Sequence, residues 1–262
     1  FNAPLIPHYL SMTVLQQVDR IMINNMVGTS EAAIYGVAYT VSTLMILVTS
    51  AMNNSFTPFT YQSIKKKNYI SIKSITNLIL IIVAVGCILV MAFGPEVISI
   101  LAPKQYYDAI WIIPPVAASV FFMFLYPLFG NIEFYYEKTK FFTVSSVFAA
   151  VINILLNWIF IRQFGYVAAG YTTLICYILY ALGHWYISKK ILEVKNNGES
   201  MISLHFIIFI FVLLIAGCIV STLLIKIWVV RYALIFAFLI ILIMKKNKLL
   251  NIYSAIKSKG EQ

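Results

Sequence analysis

Pro4-Leu-Ile-Pro-His8-Tyr-Leu-Ser11-Met-Thr-Val-Leu-Gln16-Gln17-Val-Asp19-Arg20-Ile-Met-Ile-Asn-Asn-Met26 is the stretch on which the reading of the chain turns. It is long enough to cross a bilayer, since about 20 helical residues match the hydrocarbon thickness. It is also apolar enough to insert, yet it carries His8, Ser11, Gln16, Gln17, Asp19 and Arg20. Ionisable groups are costly in hydrocarbon and by default mark a pathway or a binding site. The remaining apolar segments then read as scaffold around one polar helix.

The rest of the chain sets the class. Of its 262 residues 61% are hydrophobic and only 11% charged, with a mean hydropathy of +0.90. Soluble domains carry roughly 25% charged residues. Repeated apolar runs of near-spanning length predict an all-α, polytopic helical membrane protein. The shorter alternating segments of an outer-membrane barrel are absent. We expect about eight transmembrane helices: Ala3–Met26, Ala32–Pro58, Ser74–Phe93, Ile110–Gly130, Phe141–Ile161, Tyr166–Ile187, Ile202–Ile225 and Trp228–Met244. The first six, in residues 1–190, read as one unit. Residues 191–262 add two uniformly aliphatic helices and a basic tail. The chain opens on Phe1 and not on Met, so we expect it to begin partway through a longer protein.

Charge gives the direction. The connections after the second, fourth and sixth spans, with the tail, hold fourteen lysines: Lys65, Lys66, Lys67, Lys73, Lys138, Lys140, Lys189, Lys190, Lys195, Lys245, Lys246, Lys248, Lys257 and Lys259. The alternate connections hold only Lys104, Arg162, Lys226 and Arg231. Basic loops stay in the cytoplasm, which places the start of the first span and the C-terminus there. The net charge of +10 thus points to anionic membrane lipids as partners and not to nucleic acid. The connection Gly94–Ala109 is half apolar and lies between prolines, which predicts a short amphipathic helix along the interface.

Inside the spans, the helical wheel puts His8, Ser11, Gln16, Asp19 and Ile23 on one side of the first helix, with Arg20 about 100° from Asp19. Asp19 and Arg20 do not face each other, so each needs a partner elsewhere. Arg20 either faces a cavity or snorkels outward. His8 lines the cavity or sits at the interface. The second span opens with Tyr35, Tyr39, Ser42 and Thr43 and closes with Asn53, Asn54 and Pro58, where the helix either ends or hinges. Pro114-Pro115 and Pro127 read as interruptions of the fourth span. Beyond it, Asn131, Glu133, Tyr135, Tyr136, Glu137 and Lys138 read as a polar cytoplasmic entrance. Ser146, Ala149, Ala150, Asn153 and Asn157 share one face of the fifth span, which suits either close helix packing or a hydrophilic lining. Gly165 to Gly170, then Thr172 and Thr173, open the sixth with another small-residue face. Cys87, Cys176 and Cys218 are isolated in apolar runs and read as core residues. His8, His184 and His205 lack metal-ligand spacing, and no catalytic motif emerges. We therefore expect no metal, no cofactor and no enzymatic centre.

Several stretches, taken in order, resemble one family: Pro7-His-Tyr-Leu-Ser11, Asp19-Arg-Ile-Met-Ile23, Ala32-Ala-Ile-Tyr-Gly-Val-Ala-Tyr39, Phe93-Gly-Pro-Glu-Val-Ile98, Tyr107-Asp-Ala-Ile-Trp-Ile-Ile-Pro-Pro115, Asn153-Ile-Leu-Leu-Asn157 and Phe164-Gly-Tyr-Val-Ala-Ala-Gly-Tyr-Thr-Thr173. Together they look like the C-terminal half of the oligosaccharide-repeat-unit (O-antigen and capsular polysaccharide) flippases of the multidrug/oligosaccharidyl-lipid/polysaccharide exporter superfamily. The last two spans match in hydropathy alone. The resemblance implies the second of two six-helix bundles plus two appended helices, in a bacterial cytoplasmic membrane. It implies movement of an undecaprenyl-pyrophosphate-linked oligosaccharide between leaflets by alternating access. A missing N-terminal six-helix bundle and other polysaccharide-assembly proteins would be partners. The residues expected in the cavity are Arg20, Asp19, His8, Gln16, Tyr35, Tyr39, Asn153 and Asn157. Arg20 is the only cation embedded in a span and suits a pyrophosphate or sugar acids. A peptidoglycan-precursor flippase and a drug/cation antiporter of the same superfamily are the alternatives. A membrane-embedded polymerase or glycosyltransferase would need an external loop or an acid–arginine cluster that the sequence lacks.

Overall fold

Proline, glycine and hydroxyl side chains place the helix ends. The computed structural model describes residues 5–195, 202–237 and 240. Its elements are α1 (Ile6–Met26), α2 (Thr29–Ser42), α3 (Met45–Lys65), α4 (Tyr69–Leu101), a 3₁₀ helix (Lys104–Trp111), α5 (Ile113–Tyr135), α6 (Thr139–Phe164), α7 (Ala168–Lys195) and α8 (Leu204–Leu223). A short apolar helix, α9, spans Trp228–Ala237. Among the described residues there is no strand. Pro7 sits in the first turn of α1, where its missing N–H is harmless. The Asn68 side chain accepts a hydrogen bond from the Ser71 N–H and caps α4. Gly165, at φ 73, ends α6 in a conformation that favours glycine.

The chain is an all-α polytopic membrane protein. Helices α4, α5, α6 and α8 are each long and apolar enough to cross a membrane, and the bent pair α2–α3 makes a fifth such unit. Helices α1 and α7, with 21 and 28 residues, are long enough but carry more polar side chains. The centre is α5, which packs against α7, α4, α3, α2 and α8. It buries 83% of its most apolar window, against 22% for α8, so α8 lies at the periphery. On α8 only Ile207, Ile210, Leu214 and Cys218 turn inward. Helix α1 joins the other flank, against α6 and α2.

Four sequence expectations change. The second span breaks at Thr43–Leu44 and not at Pro58: α2 and α3 meet at 43°, and α3 runs through Pro58 to Lys65. Hydroxyls explain the site of the break. Ser42 and Thr43 each donate to a carbonyl four residues back, Ala38 and Tyr39, at 2.7 Å, and Thr40 donates to Gly36 at 2.9 Å. Such back-bonding competes with the helical ladder and bends it. None of the three prolines interrupts α5: Pro114 and Pro115 open it, where the first helical turn tolerates proline, and the helix runs on through Pro127 to Tyr135.

The other two corrections concern loop lengths. Gly94 and Pro95 lie within α4, which continues to Leu101. The expected short amphipathic helix starts only after Pro103: it is the 3₁₀ helix, which buries Ala109 and Ile110 and leaves Lys104, Gln105, Tyr107 and Asp108 exposed. Likewise Asn131 and Glu133 are buried residues of α5, which extends to Tyr135, and do not form a polar entrance beyond it. The remainder of the predicted last span, beyond Ala237, and the basic tail lie outside the described residues apart from position 240.

Gly94 is where α4 and α5 come closest to needing glycine. A Cβ there would stand 2.7 Å from Ile113 Cγ2. Gly94→Val is expected to overpack this crossing and cost about 1–3 kcal/mol. The companion Ile113→Ala variant should relieve it, so the pair together destabilises less than the two single effects added. Thermal unfolding of the purified protein in detergent reads both. Unchanged melting of Gly94→Val would show that the two helices stand further apart.

Candidate functional site

The buried stripe of α1 is His8, Ser11, Met12, Leu15, Asp19 and Ile23, the 3–4 residue spacing of one helical face. Gln16, expected on that face, is displaced by Leu15 and is half-buried beside it. Asp19 is 1% exposed. Its Oδ2 accepts hydrogen bonds from the Tyr35 hydroxyl and the Thr173 hydroxyl, each at 2.6 Å. Its Oδ1 accepts from the Asn157 amide nitrogen at 2.6 Å. One carboxylate therefore ties together α1, α2, α6 and α7.

The cluster extends outward through amides. Asn157 Nδ2 also donates to Asn153 Oδ1 at 3.3 Å, and the Thr172 hydroxyl donates to Asn157 Oδ1. Asn153 Nδ2 is buried without a partner. Local sequence explains why these groups meet. Ser146, Ala149, Ala150, Asn153 and Asn157 are all buried on one face of α6, and small residues there let α1 and α7 approach closely. Gly170 serves the same end on α7: a Cβ would stand 3.1 Å from Pro115 of α5. The polar side chains sit where the backbones can come near enough for direct hydrogen bonds.

Arg20 lies next to this centre but outside its hydrogen bonds. The guanidinium carbon is 4.9 Å from the centre of the Tyr39 ring, and the buried Nε has no hydrogen-bond partner. Among the described residues, Arg20 forms no ion pair. Tyr39 packs beside Tyr35, with ring centres 6.1 Å apart. Asp19, Tyr35, Asn153 and Asn157 are thus brought together, with Arg20 and Tyr39 on their flank.

His8 belongs to a different centre, eleven residues away along α1 or about 16 Å at 1.5 Å per residue. It is buried, packs on Phe142 at 4.6 Å, and its Nδ1 has no partner. Phe142 in turn packs on His184 at 4.6 Å. His184 Nδ1 lies 2.6 Å from Glu133 Oε1, and both side chains are fully buried. Glu133 Oε2, His184 Nε2 and the Tyr180 hydroxyl are buried without partners. The sequence reading missed this Glu133–His184 pair. Its signal is an acid and an imidazole embedded in two apolar runs, and only tertiary packing shows that they meet. Among the described residues no three His, Cys, Asp or Glu side chains converge as a metal site would require.

A family model described as MatE matches residues 4–159, more than half of the chain. The matched region holds Asp19, Tyr35, Asn153 and Asn157 and stops short of Thr172 and Thr173. "Lsg locus putative protein 1" of Haemophilus influenzae is 20% identical over 156 residues, which cover 59% of this chain and 39% of that protein. The chain thus matches well under two thirds of that relative's length. No solved structure matches the chain.

Two substitutions separate the hub from its flank. Asp19→Ala would leave the Tyr35 and Thr173 hydroxyls buried without an acceptor, at about 1–3 kcal/mol each, and would leave the Asn157 amide only its longer bond to Asn153. Arg20→Ala removes a ring contact of about 0.5–2 kcal/mol. The melting point of the purified protein should therefore fall much further for Asp19→Ala. Equal losses would mean that the carboxylate is not what joins the four helices.

Proposed function

We propose, from the premise that the chain belongs to the MatE family of membrane transporters, that it works as the second half of a flippase for a lipid-linked oligosaccharide. The substrate class is an undecaprenyl-pyrophosphate-linked repeat unit, carried from the cytoplasmic to the outer leaflet in polysaccharide biosynthesis. On this reading the chain lies in a bacterial cytoplasmic membrane with α1 starting on the cytoplasmic side. An N-terminal six-helix bundle completes the cavity, and other polysaccharide-assembly proteins supply and receive the repeat unit.

The observation that carries the reading is Arg20. It is a permanent cation within a helix of spanning length, half-buried, with an unpartnered Nε and, among the described residues, no carboxylate partner. An embedded charge of this kind faces protein or a polar pathway and not lipid. A guanidinium matches phosphate oxygens in geometry and charge. Tyr39 steadies its plane, while a pyrophosphate would supply the missing acceptors. The Asp19 centre has a separate task in this scheme. Its carboxylate is reached by hydroxyl and amide groups from three other helices, so a proton or other coupling cation arriving there would rearrange four helices at once. That same embedded acid is what favours the second reading, a drug/cation antiporter of the same superfamily.

Reconstitution in liposomes with a labelled lipid-linked oligosaccharide separates these readings. The expected result is leaflet-to-leaflet movement without a new covalent product, and a loss of at least about tenfold in Arg20→Ala at equal reconstitution, the weight of one charge-assisted hydrogen bond. Arg20→Lys should retain part of the rate, because it keeps the charge but not the fork. Full transport by Arg20→Ala would remove Arg20 from the substrate path. Coupled efflux of organic cations in place of lipid movement would establish the antiporter.

A further inference from the structure

Where α4 ends, a polar chamber opens whose walls include no residue of the Asp19 or Glu133–His184 centres. Its volume is about 610 Å³, and its walls include Glu96, Asp108, Trp111, Lys226, Trp228 and Arg231. They come from the last turns of α4, the 3₁₀ helix, and the α8–α9 turn with the start of α9. Arg231 is 6% exposed. One of its terminal nitrogens donates to Glu96 Oε1, and the Tyr232 hydroxyl donates to the same oxygen at 2.6 Å. Two atoms of this network are buried and unpartnered: Glu96 Oε2 and Arg231 Nε. A buried charged group with an unmade hydrogen bond is expensive, so the Glu96–Arg231 network in the chamber's wall lacks one acceptor at Arg231 and one donor at Glu96.

A second cavity, of about 330 Å³, runs between α4, α8 and α9 and is walled by apolar side chains such as Ala92, Leu213, Val220 and Leu234. It shares Arg231 with the polar chamber. A polar compartment and an apolar groove that meet at one arginine describe the shape of a single amphiphile. We propose that this pair of cavities binds one zwitterionic phospholipid, with its phosphoethanolamine headgroup in the chamber and an acyl chain in the groove.

Charge decides the headgroup. The chamber has two carboxylates, Glu96 and Asp108, and two cations, Lys226 and Arg231. They balance, so a net anion gains little there, whereas a ligand with separated charges is matched at both ends. The phosphate lies on the side of Lys226 and Arg231. The ammonium lies on the side of Asp108 and Glu96, among the Trp111 and Trp228 rings. Lys226 already stands 5.7 Å from the Trp111 ring. A volume of several hundred Å³ suits a ligand of headgroup size, and the tryptophans fit the bilayer–water boundary. The lipid would hold the slender α9 against α4, reinforcing the Glu96–Arg231 pair.

This inference is independent of what the protein transports, and its test reads lipid binding alone. Purified, delipidated protein in detergent micelles is titrated with phosphatidylethanolamine, phosphatidylglycerol and undecaprenyl phosphate in turn, and native mass spectrometry counts the bound molecules. One saturable phosphatidylethanolamine is expected, held at least about tenfold more tightly than either anionic lipid. The Asp108→Asn/Lys226→Ala variant changes two exposed side chains and is expected to lose at least about tenfold in that affinity. Trp228→Ala, also at an exposed position, gives a second variant whose melting point controls for folding. Equal binding of phosphatidylethanolamine and phosphatidylglycerol overturns the proposal, as does a preference for the polyprenyl phosphate. Unchanged affinity in both variants overturns it too.

Discussion

A carboxylate inside a membrane-spanning bundle must find donors, and the arrangement of this protein depends on how Asp19 finds them. Its three donors come from α2, α6 and α7, none of them from its own helix. Each donor fixes one helix in both rotation and height, because a hydrogen bond of 2.6 Å tolerates little displacement. Greasy faces alone do not specify register in lipid, where the hydrophobic effect gives helices no preferred partner. The polar hub supplies that specificity. The small residues of α6 and the opening turns of α7 are then understandable as clearance for the hub, since a bulkier face would hold the donors out of reach.

The sequence was most informative where one residue type has one physical meaning. Long apolar runs gave the class and most helix positions. The i, i+3, i+4 pattern of Ser146, Ala149, Ala150, Asn153 and Asn157 gave the buried face of α6. Proline was less reliable, because its effect depends on where the helix begins. Pro114 and Pro115 start α5, and Pro58 is absorbed within α3. The true bend of the second span falls at a run of hydroxyl residues, whose back-bonding is weak at any one position and tells only in sum.

The candidate site was legible in its members but not in its pairings. Asp19, Tyr35, Asn153 and Asn157 could be picked out singly as polar groups in apolar helices. That Tyr35 and Asn157 reach the same carboxylate depends on helix–helix geometry, which periodicity does not encode. The wheel shows that Asp19 needs a partner on another helix, and Asp19 finds three donors within this chain. The Glu133–His184 pair was hidden for a related reason. Glu133 sits four residues beyond Phe129 in the last turns of α5, past the point where the apolar run ends at Gly130. In sequence Arg231 is one more cation at the end of an apolar run; its partner Glu96 stands 135 positions earlier.

The place of Arg20 follows from the place of Asp19. Adjacent residues on a helix point about 100° apart, so turning Asp19 into the α6–α7 side necessarily sets Arg20 on the flank shared with α2. There its guanidinium meets Tyr39, and its Nε passes 3.9 Å from the point where a Cβ on Gly36 would stand. Burial of the acid is thus what holds the cation at the edge of the bundle. Asp19 shares its buried face with His8, Met12, Leu15 and Ile23, so the same packing that orients the acid orients the cation. The acid and the cation, neighbours that cannot face each other, are coupled through the helix that carries both.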